Sequence, residues 1–226
     1  MNPSALSPSV DWKPFLRFTW WCAVAMLALI PVQVVIYLVS PPPESVTGFF
    51  ELFRENWLLG LLSLDLLYLF NNTLIIFIYL SLSIMLWPTA PKRSLVALVL
   101  GIIGITLYYT TNPSFEFWSL STHYFAAPEA SKFIYLAAGE GLFAGYTGTA
   151  FNVYYLLNAF VLLLYAWALL ENPKYKKSLG YFGLASAILM SIPSSAGVLG
   201  LIFSLLSLIP WIGFVGLLLK PLRSAD

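Results

Sequence analysis

Residues 57–87 read WLLGLLSLDLLYLFNNTLIIFIYLSLSIMLW, an unbroken apolar run with tryptophan at each end and one charge, Asp65. Crossing a hydrocarbon core of about 30 Å takes about 20 helical residues. The run is therefore long enough to span a bilayer with tilt or with protruding ends, and Pro88 stops it. Five further stretches read the same way: 18–39, 95–111, 149–170, 179–192 and 198–219. The first ends at Ser40 and Pro41-Pro42-Pro43. The fifth is short and stops at Pro193-Ser194-Ser195-Ala196-Gly197. It is read as a crossing or as a re-entrant hairpin.

Composition agrees. Of 226 residues, 60% are hydrophobic and only 9% charged, with a mean hydropathy of +0.84. Soluble domains carry about a quarter charged residues. Eleven Lys and Arg against ten Asp and Glu leave no surplus positive charge for phosphates, so nucleic acid is not an expected partner. The expected partner is the lipid bilayer.

Charge placement orients the chain. With the N-terminus cytoplasmic, the inner segments hold Lys13, Arg17, Lys92, Arg93, Lys174, Lys176, Lys177, Lys220 and Arg223, and the outer ones hold Arg54 and Lys132. That asymmetry follows the positive-inside rule only when six spans are counted. The expectation is an all-α integral membrane protein: one domain over 1–226, a six-transmembrane-helix bundle with both termini cytoplasmic. An aromatic-rich outer loop joins helices 3 and 4. Lys13 and Arg17 precede the first span with no small-residue cleavage site, so that span is read as retained.

Ionisable groups inside a bilayer are costly, and they mark functional positions. Asp65 lies roughly 12 Å along the second helix from Trp57. Glu140 lies in the glycine-rich start of the stretch 133–170, which also enters from outside. In a continuous helix Asp65, Tyr68, Asn72 and Tyr79 share a face and Asn71 points away; Glu140, Thr147, Tyr154 and Asn158 share a face on the fourth. Asp65, Tyr68, Asn72, Glu140, Thr147, Tyr154 and Asn158 are thus candidates for one outward-facing polar chamber that binds a small polar ligand or a proton. The competing reading is interhelical glue, in which Asn and Thr bond across helices for packing alone. A carboxyl buried without a cation can keep its proton and donate one hydrogen bond, which suits a proton-responsive site and a structural bond alike.

Residues 112–125, NPSFEFWSLSTHYF, are too aromatic for an ordinary loop. They suggest an interfacial anchor or a lid over the chamber, with Glu116, Trp118 and His123 as lid candidates. The spacing Gly141 to Gly145 suits close helix packing, or Gly145-Tyr146-Thr147-Gly148 opens the helix to a ligand.

One His and one Cys rule out histidine-rich zinc sites and two-histidine haem ligation. No metal site and no cofactor are expected, a weak carboxylate site at Asp65, Glu140 and Glu116 apart. Internal repeats are not evident, so an inverted-repeat architecture gains no support and a homodimer is the available source of symmetry.

The strings LLGLLSLDLLY (58–68), Asn71-Asn72, Asn112-Pro113-Ser114-Phe115-Glu116, Ala137-Ala138-Gly139-Glu140, Gly148-Thr149-Ala150-Phe151 and Ile192-Pro193-Ser194-Ser195-Ala196-Gly197, in this order, resemble a prokaryotic family of multi-pass membrane proteins filed as a domain of unknown function. The resemblance covers about residues 57 to 215. It implies a bacterial or archaeal cytoplasmic membrane and carries no activity. Three functions stay open: binding or transport of a small solute, cation or proton; an intramembrane enzyme acting on lipid; and a non-catalytic sensor or partner protein.

Overall fold

The computed structural model describes residues 10–223. The two chain ends, expected on one side of the membrane, lie outside the described residues. Among those described there are helices and no strands.

Ten α-helices follow in order: α1 (Lys13–Val39), α2 (Val46–Glu55), α3 (Trp57–Ser63), α4 (Leu66–Leu86), α5 (Pro91–Thr111), α6 (Ser114–Ala126), α7 (Lys132–Tyr146), α8 (Thr149–Glu171), α9 (Lys177–Leu189) and α10 (Gly197–Arg223). Prolines begin α1 and α5, where a missing N–H costs nothing. α1 ends at Ser40, before the proline run that cannot continue it.

Six of these form a ring. α1, α4, α5, α8, α9 and α10 each pack on the next, and α10 returns to α1. Polar contacts give their directions. The Asn112 amide reaches the Leu64 carbonyl, which sets the end of α5 beside the start of α4. Arg93 pairs with Glu171 at 2.7 Å, which sets the end of α8 beside the start of α5. The Arg223 guanidinium lies 5.9 Å from the Trp20 ring, bringing the end of α10 to the first half of α1. Neighbouring helices therefore alternate in direction where these contacts join them.

Among the described residues, five stretches are long and apolar enough to cross a membrane: Lys13–Val39, Leu66–Leu86, Pro91–Ala126, Glu129–Glu171 and Gly197–Arg223. α9, with 13 residues, falls short of that length at about 20 Å.

The other four helices form a cap at one end of the ring. α2 lies in the segment between the first two expected spans. Ser45 accepts a hydrogen bond from the Gly48 N–H, starting the helix, and Val46, Phe49, Phe50 and Phe53 form its buried stripe. Phe117 from α6 and Leu61 and Leu64 from the α3 region complete that apolar cluster. The aromatic segment is thus mostly the helix α6 rather than a loop. Gly139 of α7 lets Val46 approach: a Cβ there would stand 2.5 Å from Val46 Cγ1. Gly141 and Gly145, expected as the packing pair, face open space instead.

The long second span is broken. α3 ends at Ser63, and Asp65 sits in the left-handed region at φ 63° and ψ 29° before α4 begins. Asp is one of the few non-glycine residues that visit this conformation. α4 alone is about 31 Å long, so Asp65 stands at the cap end of that span, not deep inside it.

Candidate functional site

The break explains how Asp65 is placed. An interrupted helix leaves backbone carbonyls without intrahelical partners, which near apolar surroundings must be satisfied. The Leu64 carbonyl accepts from Asn112 Nδ2 at 2.6 Å and from Ser114 Oγ at 2.8 Å. The same hydroxyl, with its single proton shared, lies 2.6 Å from Asn112 Oδ1, which also accepts from the Ser114 backbone N–H at 3.1 Å. The Asn112-Pro113-Ser114 corner therefore clamps the break from the end of α5.

Two tyrosines from different elements hold the carboxylate. The Tyr37 hydroxyl, near the end of α1, donates to Asp65 Oδ1, and the Tyr146 hydroxyl, at the end of α7, donates to Oδ2. Tyr108 of α5 lies beside the same group. Tyr37 and Tyr146 use two of the roughly four acceptor positions that a carboxylate offers.

Asp65 opens onto a cavity of about 300 Å³ inside the ring, a size at the lower end for small-molecule sites. Gln33 and Tyr37 come from α1, Tyr68 and Asn71 from α4, Tyr154 and Asn158 from α8. Among the described residues, no Lys or Arg lines it. Arg54 and Lys132, the basic residues of the cap, are engaged elsewhere. Arg54 stacks over Phe125 at 4.5 Å, and Lys132 pairs with Glu129 at 2.7 Å. The Asn71 side chain is 8% exposed, and its Oδ1 finds no partner among the described residues.

Below and behind the cavity, polar side chains satisfy one another. Tyr154 donates to Asn72 Oδ1 at 2.9 Å and lies 3.3 Å from the Tyr68 hydroxyl. Tyr79 donates to Asn158 Oδ1 at 2.7 Å, and Asn158 Nδ2 donates to the Tyr154 carbonyl at 3.0 Å. Tyr165 bridges the Tyr79 carbonyl at 3.0 Å and Ser83 Oγ at 2.8 Å. This ladder ties α4 to α8. α5 fits closely against it because Gly101 is bare: a Cβ there would meet the Tyr79 ring at 2.6 Å.

Of the expected chamber residues, the structure brings together Asp65, Tyr68, Tyr154 and Asn158. Asn72 is fully buried behind the wall on Tyr154, and Asn71, expected to point away, faces the cavity. The cavity side of α4 runs through Tyr68, Asn71, Ile75 and Tyr79, at spacings of three and four, which leaves Asn72 on the flank toward α8.

Glu140 and Thr147 are exposed and stand apart from the cavity lining. The shared hollow expected for both acids is not formed. Its premise was a continuous helix from 140 to 158, and the chain instead breaks between α7 and α8 at Thr147-Gly148. That break is the helix opening that the glycines allowed, and it is what lets Tyr146 turn onto Asp65.

The lid candidates are corrected in the same way. Glu116, Trp118 and His123 are exposed on α6 and do not line the cavity. Trp118 stacks on Trp57 at 5.3 Å and His123 on Tyr135 at 5.9 Å, so they serve the cap. Tyr37, Tyr108 and Tyr146 were missed. Their link to Asp65 is tertiary, 28 residues away for Tyr37 and 81 for Tyr146.

Among the described residues, no group of three or more His, Cys, Asp or Glu could hold a metal ion. Ser194 and Ser195 are engaged as a turn: the Ser194 hydroxyl is 3.1 Å from that of Tyr155, and Ser195 donates to Asn152 Oδ1 at 2.5 Å. Comparison with family models, with curated proteins and with solved structures finds no match for this chain.

Proposed function

We propose that this chain is a multi-pass protein of a prokaryotic cytoplasmic membrane that binds, and carries across, a small polar or cationic solute or a proton through a chamber anchored on Asp65. α9 is included as a sixth, thinner crossing, with the cap outside and Arg93, Lys174, Lys177 and Arg223 at the inner end. The observation that carries this reading is a carboxylate at a helix break, opening on a cavity with no Lys or Arg in its lining. Interrupted helices at substrate sites are how membrane carriers expose polar groups to a solute. The lipid-enzyme reading is the weaker one, because of the serines lining the cavity Ser194 meets Tyr155, Ser207 bonds the Ser204 carbonyl and Ser204 has no partner among the described residues, so none is paired with a base.

Proteoliposomes test it. Methylammonium or Na⁺ uptake above that of empty liposomes, reduced at least tenfold in Asp65→Asn, is the expected result. Uptake equal in wild type and variant, or no uptake and no binding of either cation or a proton, overturns it.

A further inference from the structure

The ring is not equally closed on all sides. In α1 the buried residues are Leu16, Thr19, Cys22, Ala23 and Met26, all before Pro31, and none follows it. In α10 most buried residues lie from Ser207 onward, Pro210 and Trp211 among them. α1 and α10 therefore pack firmly at the Trp20 and Arg223 end and lose contact toward the cap. Between their loose halves the cavity wall is made of Val34, Leu201 and Leu205, which are 39%, 54% and 56% exposed. Residues that line a cavity and also face the outside mark an opening. This one gives onto the side of the bundle, at the level of acyl chains, and it is apolar.

The interior has a matching polarity. Asp65, Tyr37 and Tyr68 stand at the cap end, and Tyr79, fourteen residues along α4, lies about 20 Å deeper. Leu29, Ile75, Leu162, Leu208 and Trp211 make the deep wall apolar. A carboxylate ringed by tyrosines, with no basic side chain in the lining, is complementary to an ammonium group, which binds both the charge and the aromatic faces. The length from Asp65 to the deep wall is comparable to half a hydrocarbon core.

Resting on the Asp65 reading above, we infer that the occupant is a single-chain amphiphile with an ammonium headgroup, which enters sideways between α1 and α10 and lies with its head on Asp65 and its tail toward Trp211. Asn71, buried with an unused carbonyl oxygen about 9 Å along α4 from Asp65, supplies an acceptor to a hydroxyl on the chain below the headgroup.

The probe is radiolabelled dodecylammonium, offered to the full chain in nanodiscs, with empty nanodiscs subtracted. Saturable binding is expected, at least tenfold tighter than for dodecyl sulfate or dodecyl maltoside, and weakened at least tenfold in Asp65→Asn. Leu205→Trp, which narrows the opening, is expected to slow association at least tenfold with an unchanged Tm. Val34→Trp, from the opposite wall, gives the same reading if Leu205→Trp does not fold. Equal binding of all three headgroups overturns the ammonium assignment. Association unaffected by either tryptophan overturns the sideways route. Methylammonium binding as tightly as dodecylammonium overturns the amphiphile while leaving the Asp65 chamber standing; failure of every ammonium probe overturns this inference, and the Asp65 reading then stands or falls on the Na⁺ and proton measurements above.

Discussion

Tyr79, Asn158, Tyr165 and Ser83 tie one side of the ring together, while Gln33, Tyr37, Ser204 and Ser207 line the cavity on the other. The residue types are similar and the consequences opposite. On the α4–α5–α8 side each named hydroxyl or amide meets another at about hydrogen-bond distance, and glycine brings the backbones close. On the α1–α10 side the helices part: the Gln33 amide and the Ser204 hydroxyl find no partner among the described residues, while Tyr37 reaches to Asp65 and Ser207 bonds within its own helix. Two asparagines, Asn158 on α8 and Asn71 on α4, show the same contrast within one side of the ring. Asn158 spends its oxygen on Tyr79 and its nitrogen on Tyr154, whereas Asn71 Oδ1 has no partner. In an apolar surrounding, polar residues that satisfy one another hold helices in register, and those that do not are free to meet a ligand.

Substitutions can break or sharpen this contrast. The largest effect is expected for Gly101→Val. Its Cβ would collide with a Tyr79 ring that Asn158 pins at 2.7 Å, so overpacking should cost about 3 kcal/mol, read as a lower Tm in detergent. Asn158→Leu comes next. It strands the Tyr79 hydroxyl in the core, and thermal or denaturant unfolding should show a loss of about 2 kcal/mol. Ser114→Ala removes one of the two donors on the Leu64 carbonyl, for about 1 kcal/mol, and hydrogen exchange should rise around residues 64–69 before it rises elsewhere. The smallest effect is expected for Asn71→Leu, within about 0.5 kcal/mol in either direction, because no protein hydrogen bond to its Oδ1 is lost. Equal losses in Asn158→Leu and Asn71→Leu would erase the distinction between a partnered and an unpartnered buried amide.

Much of the helical layout was legible in the residues. Apolar length and proline punctuation locate α1, α5, α8, α9 and α10 to within about five positions, since those signals are local, whereas the run 57–87 merges α3 with α4 and starts the latter nine residues early. α2 was legible too and was passed over: Ser45 followed by Val46, Phe49, Phe50 and Phe53 is a cap and a stripe. Asp65 was found because a lone acid in an apolar run is conspicuous. Its setting was not. The turn at Leu64–Asp65 is stabilised by Asn112 and Ser114, and the carboxylate is held by Tyr37 and Tyr146, all distant in sequence. Helical phase carried across that turn, and across the one at Thr147-Gly148, assigned Asn71, Glu140 and Thr147 to the wrong sides.

The left-handed backbone at position 65 narrows the alphabet that the site can use. Glycine keeps the bend and discards the chemistry; asparagine keeps the bend and discards the charge; glutamate keeps the charge on a backbone less at ease there. Aspartate alone joins both properties comfortably. Lineages that retain this pivot are thereby steered toward one acid, and a drift to asparagine would report a change in the chemistry of this position rather than a loss of architecture.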